Sequence, residues 1–330
     1  MPSMSMHGTP HVQTRTGMLA RMRTTTRDRV PIIMTTVHPR RRKAGNCFDT
    51  LFPRLPNRRR LGSMLRCLFA IACLMSLPLA HAVDKPWAQH ENPSVLWHLI
   101  HDRCAPAAAR GRYPPKPCVE VDAPRGSANA YAVLKDMQGR YQYLVLPLAR
   151  LTGIESPALL APGAPNYFAD AWTARLYVEA ALHHAVPRDD LVLVVNSIDG
   201  RSQNQLHIHV DCIRPAVRDA LVRMLPAITE QWRPLPAPLP PYGHRYWARR
   251  VDGRDLTVNP FKSLAAALPA GDHMGLHSLI VTGARFASGQ PGFILLSSRV
   301  DRAKGNFGSG DELQDLSCAI ATRDPAAGTH

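Results

Sequence analysis

The chain has 330 residues, 45% of them hydrophobic, which is enough core for one large domain or two small ones. Its net charge of +15 is concentrated in residues 1–82, where 14 Lys/Arg face only Asp28 and Asp49 (+12), leaving +3 for residues 83–330. That near-neutral remainder lacks the concentrated basic face that nucleic-acid binding needs, so nucleic acid is excluded as a partner despite a pI near 10.0.

Residues 1–63 are rich in Arg, Thr and Pro with no sustained apolar period, and read as a disordered basic extension or as sequence upstream of a true start at Met64. From Arg58 onward, basic residues lead into an apolar run, Cys67–Leu79, and then Ala80-His81-Ala82, an A-x-A cleavage pattern. Residues 64–82 are therefore expected to be a secretory signal. The run falls short of the roughly 20 residues a bilayer span takes, which favours cleavage over a retained membrane anchor. Beyond Ala82 four of the seven cysteines remain, Cys104, Cys118, Cys212 and Cys318, an even number in a chain sent to an oxidising compartment. Of the three possible pairings, Cys104 with Cys118 is favoured because the Pro-rich connector between them has little else to order it, and Cys212 with Cys318 follows by elimination.

In chain order, NPSVLWHLIHDR (92–103) has Val95, Leu96, Leu99 and Ile100 at helical spacing, with Asn92 as N-cap and Pro93 at the first position. AYAVLKD (130–136) and YQYLVLPL (141–148) read as a β-hairpin around a short Gly-containing turn. The longest helix is expected in NYFADAWTARLYVEAALHHAV (166–186), with Phe168, Trp172, Leu176 and Val178 to Ala180 as its packing stripe. LVLVVNS (191–197) and the alternating Gln205–Val210 stretch read as adjacent strands. Pro215 opens a helix with Val217, Leu221 and Leu225 inward. The Pro-rich stretch 233–243 then reads as a linker between a region 83–232 and a C-terminal region 244–330 that completes the domain. PFKSLAAAL (260–268) suggests one more helix, and 275–286 with 292–300 repeats the hairpin pattern, so the second half reads as a degenerate copy of the first. Trp172, Trp232 and Trp247 read as core anchors.

Within Gln205-Leu206-His207-Ile208-His209-Val210 a period of two sends Gln205, His207 and His209 to one face and the apolar residues to the other. Just upstream, Asn196-Ser197-Ile198-Asp199-Gly200-Arg201-Ser202 is a polar turn whose amide, hydroxyl, N–H and guanidinium groups suit phosphate oxygens. A neutral imidazole can attack phosphorus directly, and a second one two residues on can stabilise the charge on the non-bridging oxygens. A zinc site on His207 and His209 is the competing reading. It needs Asp211 or a distant residue as a further ligand, because Cys212 points to the opposite face.

The segment NSIDGRSQNQLHIHVDCIRP resembles the active-site segment of CDP-diacylglycerol pyrophosphatases, members of the histidine-triad-like superfamily. The resemblance extends through the spaced cysteines, AYAVLKDMQGRYQYLVLPLARLTGIESP, PNYFADAWTAR and HRYWARRV, about 240 residues in all. It implies an α+β fold: a histidine-triad-like antiparallel sheet with helices packed on one face, and a possible duplication of that motif. His207 then corresponds to the nucleophile and His209 to the last histidine of the triad, while the first position is Gln205. Asn196, Ser202 and Asp136 match substrate-contacting positions, with Arg201, Gln205 and Lys135 beside them. The implied reaction converts CDP-diacylglycerol to CMP and phosphatidate through a nucleotidyl-histidine intermediate, with no cofactor and no metal. The implied setting is a bacterial inner membrane surface facing the periplasm, or the soluble periplasm if the signal is cleaved. Hydrolysis of a soluble nucleotide diphosphate and a secreted zinc-binding module are the alternatives.

Overall fold

The structure is a computed structural model that describes residues 92–123 and 129–322. The extension at 1–63 and the signal at 64–82 lie outside the described residues.

The described residues form an antiparallel sheet of nine strands: β1 (Cys118–Asp122), β2 (Tyr131–Lys135), β3 (Tyr143–Pro147), β4 (Leu191–Val195), β5 (Ile208–Cys212), β6 (Arg233–Pro234), β7 (Trp247–Asp252), β8 (His277–Arg285) and β9 (Pro291–Arg299). Their order is β1-β2-β3-β5-β4-β8-β9-β7-β6. Both expected hairpins are present, as β2–β3 and β8–β9, and β4 pairs with β5. With its helices this makes an α+β architecture. β4 and β8, from the two sides of the Pro-rich stretch, are direct neighbours. The stretch itself is packed down, with Leu235 and Leu239 buried.

The helices flank the sheet on both faces, where the sequence suggested one. Along β2 and β3, strand alternation sends Tyr131, Val133 and Val145 to one side and Ala132, Leu134, Leu144 and Leu146 to the other. The first set belongs to the same buried cluster as the long helix and the helix Pro215–Met224. The second packs with an N-terminal helical run made of α1 (Val95–His98), a π-helical turn (Leu99–Cys104) and α2 (Ala105–Ala109), through Ile100 and Cys104. The π turn moves the buried stripe: Val95 is 44% exposed, while Ile100 and Cys104 are fully buried.

The long helix, α3 (Tyr167–Leu182), buries Tyr167, Phe168, Ala171, Trp172, Ala174 and Val178, but Leu176 lies outside the stripe and is exposed. It ends at His183, which adopts a left-handed φ of 63°. The helix α4 (Pro215–Met224) buries Val217 and Leu221 as expected, with Met224 in place of the half-buried Leu225. Trp172 is a core anchor, packed edge-on against Phe293 at 4.9 Å, whereas Trp247 on β7 is 50% exposed. Cys104 is bonded to Cys118 and Cys212 to Cys318, with Cα separations of 5.7 and 5.1 Å. The first staples the N-terminal helical run to the edge strand, and the second holds residues near 318 against the end of β5.

Candidate active site

β5 is an inner strand, so its alternation decides what the site is made of. His209 stands opposite Leu144 of β3 on one side and Val194 of β4 on the other. It therefore shares the face of Leu144, the side on which Asp311 approaches it.

The regular ladder starts at Ile208, later than the sequence pattern suggested. Its last pair with β3 is Val145 with Ile208, and before it Leu206 N–H turns away to donate to the Leu151 carbonyl at 2.6 Å. Gln205 bridges the break: fully buried, its amide nitrogen donates to the carbonyls of Pro147 and Ala149, each at 3.0 Å. In this geometry the side chain of Gln205 is committed to the main chain that continues β3.

The main-chain carbonyl of Gln205 lies 2.6 Å from Nδ1 of His207. A carbonyl oxygen can only accept, so Nδ1 carries the proton and the lone pair of the neutral ring is left on Nε2. Burial, and then the neighbouring His209, push the His207 pKa down to about 4. His207 is therefore neutral, with its lone pair on Nε2, throughout the physiological range. The two rings lie 4.9 Å apart between centroids.

His209 sits at the centre of a buried polar chain. On one side the side-chain nitrogen of Gln142 lies 3.0 Å from its Nδ1, and the same nitrogen donates to the Asp136 carboxylate. On the other side its Nε2 lies 3.7 Å from Oδ1 of Asp311. Asp311 is held in turn by Asn196, whose amide nitrogen donates to Oδ2 at 2.7 Å and whose amide oxygen accepts the Gly310 N–H at 2.8 Å. Asp136, Asn196, Gln205, His207 and His209 are thus brought together, with Gln142 and Asp311 added. The signal for Gln142 was available: alternation with Tyr141 and Tyr143 places it on the face of Leu144 and His209. Asp311, in a stretch without a period, gave no such signal.

Lys135, Arg201 and Ser202 stand apart from this chain. Lys135 donates to the carbonyls of Asp136 and Gly139 and lies over the Tyr143 ring at 5.5 Å. Arg201 pairs with Glu155 at 2.6 Å and reaches Asn204 at 3.2 Å. Ser202 is half-buried on the turn. The turn's N–H groups from Ser197 to Arg201 already have partners. Ser197 and Ile198 donate to the carbonyls of Gly308 and Gly275, while Asp199 and Gly200 donate to the Ser197 hydroxyl and Arg201 to the Ser197 carbonyl.

Among the described residues, the group with metal-ligand proximity is Asp211, Cys212 and Cys318. Its two sulfurs are bonded to each other, which removes them as thiolate ligands. Among the described residues no helix is long and apolar enough to cross a membrane.

A family model described as CDP-diacylglycerol pyrophosphatase matches residues 91–322, a span that contains every residue of this site. The chain is also 39% identical, over 236 residues, to a Yersinia pestis protein named CDP-diacylglycerol pyrophosphatase. That alignment covers 71% of this chain and 87% of the relative.

Proposed function

The chain belongs to the CDP-diacylglycerol pyrophosphatase family, and from that premise we propose that it hydrolyses CDP-diacylglycerol to CMP and phosphatidate through a nucleotidyl-histidine intermediate on His207. The observation that carries the mechanism is the 2.6 Å contact between the Gln205 carbonyl and His207 Nδ1, which leaves Nε2 as the nucleophile.

Nε2 forms a bond to the phosphorus that bears the cytidine ester, as the bond from that phosphorus to the bridging oxygen breaks. Phosphatidate departs with the electron pair, a good leaving group that asks for no strong general acid. Water then attacks the same phosphorus and displaces the imidazole, yielding CMP. His209 steadies the non-bridging oxygens in both steps. Arg201 and Ser202 are our proposed groups for the diphosphate, and Lys135 stands beside Asp136 among the proposed substrate-binding residues. Asp136 takes the ribose, a role it combines with anchoring Gln142, while Asn196 and Gln205 hold Asp311 and His207 in place.

We read the sheet as histidine-triad-like, with β8–β9 a half-copy of β2–β3. Support comes from the strand order, in which the central pair β5–β4 is flanked by one hairpin on each side. The two disulfides fit an oxidising compartment, and with the apolar run at Cys67–Leu79 they support a periplasmic catalytic domain at, or released from, the inner membrane.

The test is CMP release from CDP-diacylglycerol by the full chain and by His207→Ala, together with a neutral-pH quench using substrate labelled in the cytidine moiety. Label bound to wild-type protein and absent from His207→Ala supports the intermediate. CMP release undiminished in His207→Ala would remove His207 as the nucleophile.

A further inference from the structure

We propose that Gln142 is a positioning residue for the reaction. Anchored by Asp136, its side-chain amide occupies Nδ1 of His209 and holds that ring with its proton on Nε2, toward Asp311. The proposal rests on the reading of His209 as the partner that steadies phosphoryl oxygens.

The geometry leaves little freedom. One nitrogen of Gln142 reaches both the Asp136 carboxylate and Nδ1 of His209. A carboxylate only accepts, so the atom facing it is the NH2 and not the carbonyl oxygen. The same NH2 then donates to Nδ1, and a neutral imidazole that accepts at Nδ1 carries its hydrogen on Nε2. His207 and His209 are thereby set in opposite tautomers by different partners: a main-chain carbonyl for the first and a side-chain amide for the second. That division suits the chemistry, with one ring offering a lone pair and the other an N–H.

Three buried atoms argue against a merely structural amide. Oε1 of Gln142, 2% exposed as a residue, has no hydrogen-bond partner, so the fold accepts an unpaired acceptor to keep the NH2 where it is. Nε2 of His209 and Oδ1 of Asp311 are likewise buried without a hydrogen bond, 3.7 Å apart. An N–H beside a carboxylate, bonded to neither the carboxylate nor any other group, remains available to a phosphoryl oxygen. A packing role at this position, on the face of Leu144, would be served equally well by leucine or methionine.

The experiment reads the tautomer directly. Full-length protein carrying 15N-histidine is compared with Gln142→Met and Gln142→Glu, the His209 signals being assigned from a His209→Gln spectrum. Wild type should show a protonated Nε2 and a bare Nδ1 at His209. Gln142→Met should give a mixture of tautomers. Gln142→Glu should share a proton with Asp136 and present an accepting oxygen to the ring, which moves the proton to Nδ1, and should lower kcat about 10- to 100-fold with KM within about twofold. A protonated Nδ1 at His209 in the wild type, or nitrogen shifts unmoved in both variants, overturns the proposal. The wild-type spectrum decides alone if the variants do not fold. It needs no turnover, so retention of activity by His207→Ala would defeat the nucleophile reading and leave this one standing.

Discussion

The amide nitrogen of Asn196 lies 2.7 Å from the carboxylate of Asp311, joining the end of β4 to a turn 115 residues further on. Asn196 also accepts the Gly310 N–H, so one side chain both shapes that turn and aims the carboxylate that faces His209. Asn196→Ala removes both bonds from a buried position. It should cost about 1–3 kcal/mol in urea unfolding and lower kcat about tenfold or more. Asp311→Asn keeps a group for the Asn196 amide to bond and should spare stability while still lowering kcat. Full activity in both variants would show that the Asp311 carboxylate takes no part.

The depressed pKa of His207 gives a pH signature. An ordinary histidine nucleophile loses its lone pair as pH falls through about 6.5. Burial moves that loss down to about 4 for His207. Single-turnover rates of CMP formation should therefore hold level from neutral pH to about 5 and fall with a midpoint near 4, with circular dichroism confirming that the fold persists. An acid limb near 6.5 would place the nucleophile elsewhere.

How far the sequence reaches is shown by these same residues. Strand alternation is a local property, so the hairpins β2–β3 and β8–β9 and the shared face of His207 and His209 could be read from short windows. Gln142 could be assigned a face but not a partner, because His209 is 67 residues away and meets it only once β3 and β5 are paired. Asp311 had no legible face at all, since Gly-Ser-Gly-Asp-Glu carries no period. The start of β5 was misplaced because a donor in Gln205 can stand in for a ladder bond, and the apolar pattern is the same whether it does or not. Leu176 was assigned to the core by its apolarity, but the helix turns it outward.

Asp211 shares the histidine face and is completely buried, with Oδ1 accepting the Cys212 N–H at 2.8 Å and Oδ2 unpaired. Burial pushes its pKa up to about 7. The folded chain thus holds a proton that the unfolded chain releases near pH 4. This contribution to stability is complete below about pH 4 and is lost as pH rises to about 7. Asp211→Asn cannot ionise. It should match the wild type near pH 5 and exceed it at pH 8 by about 1–3 kcal/mol, the full linkage being reduced by the unpaired amide hydrogens it introduces. Urea unfolding at the two pH values decides, and a variant less stable at pH 8 would mean that Asp211 is ionised and paired there.

On the histidine-triad-like reading proposed above, Gln205 takes the place of a first histidine, and Gln205→His asks whether a histidine there helps. The two carbonyls that Gln205 serves, Pro147 and Ala149, both lie 3.0 Å from one NH2 group, whose two hydrogens can satisfy them together. A neutral imidazole has a single N–H, so one buried carbonyl would go unpaired at about 1–3 kcal/mol, lowering Tm by roughly 2–10 °C. The main-chain carbonyl that fixes His207 lies on the same residue, so any shift of the backbone at 205 reaches His207. Gln205→His is therefore expected to lower both Tm and kcat. Gln205→Leu, which leaves both carbonyls unpaired, should lower Tm further. If Gln205→His instead raised kcat at an unchanged Tm, the side chain at 205 would be facing the substrate and not the main chain of β3.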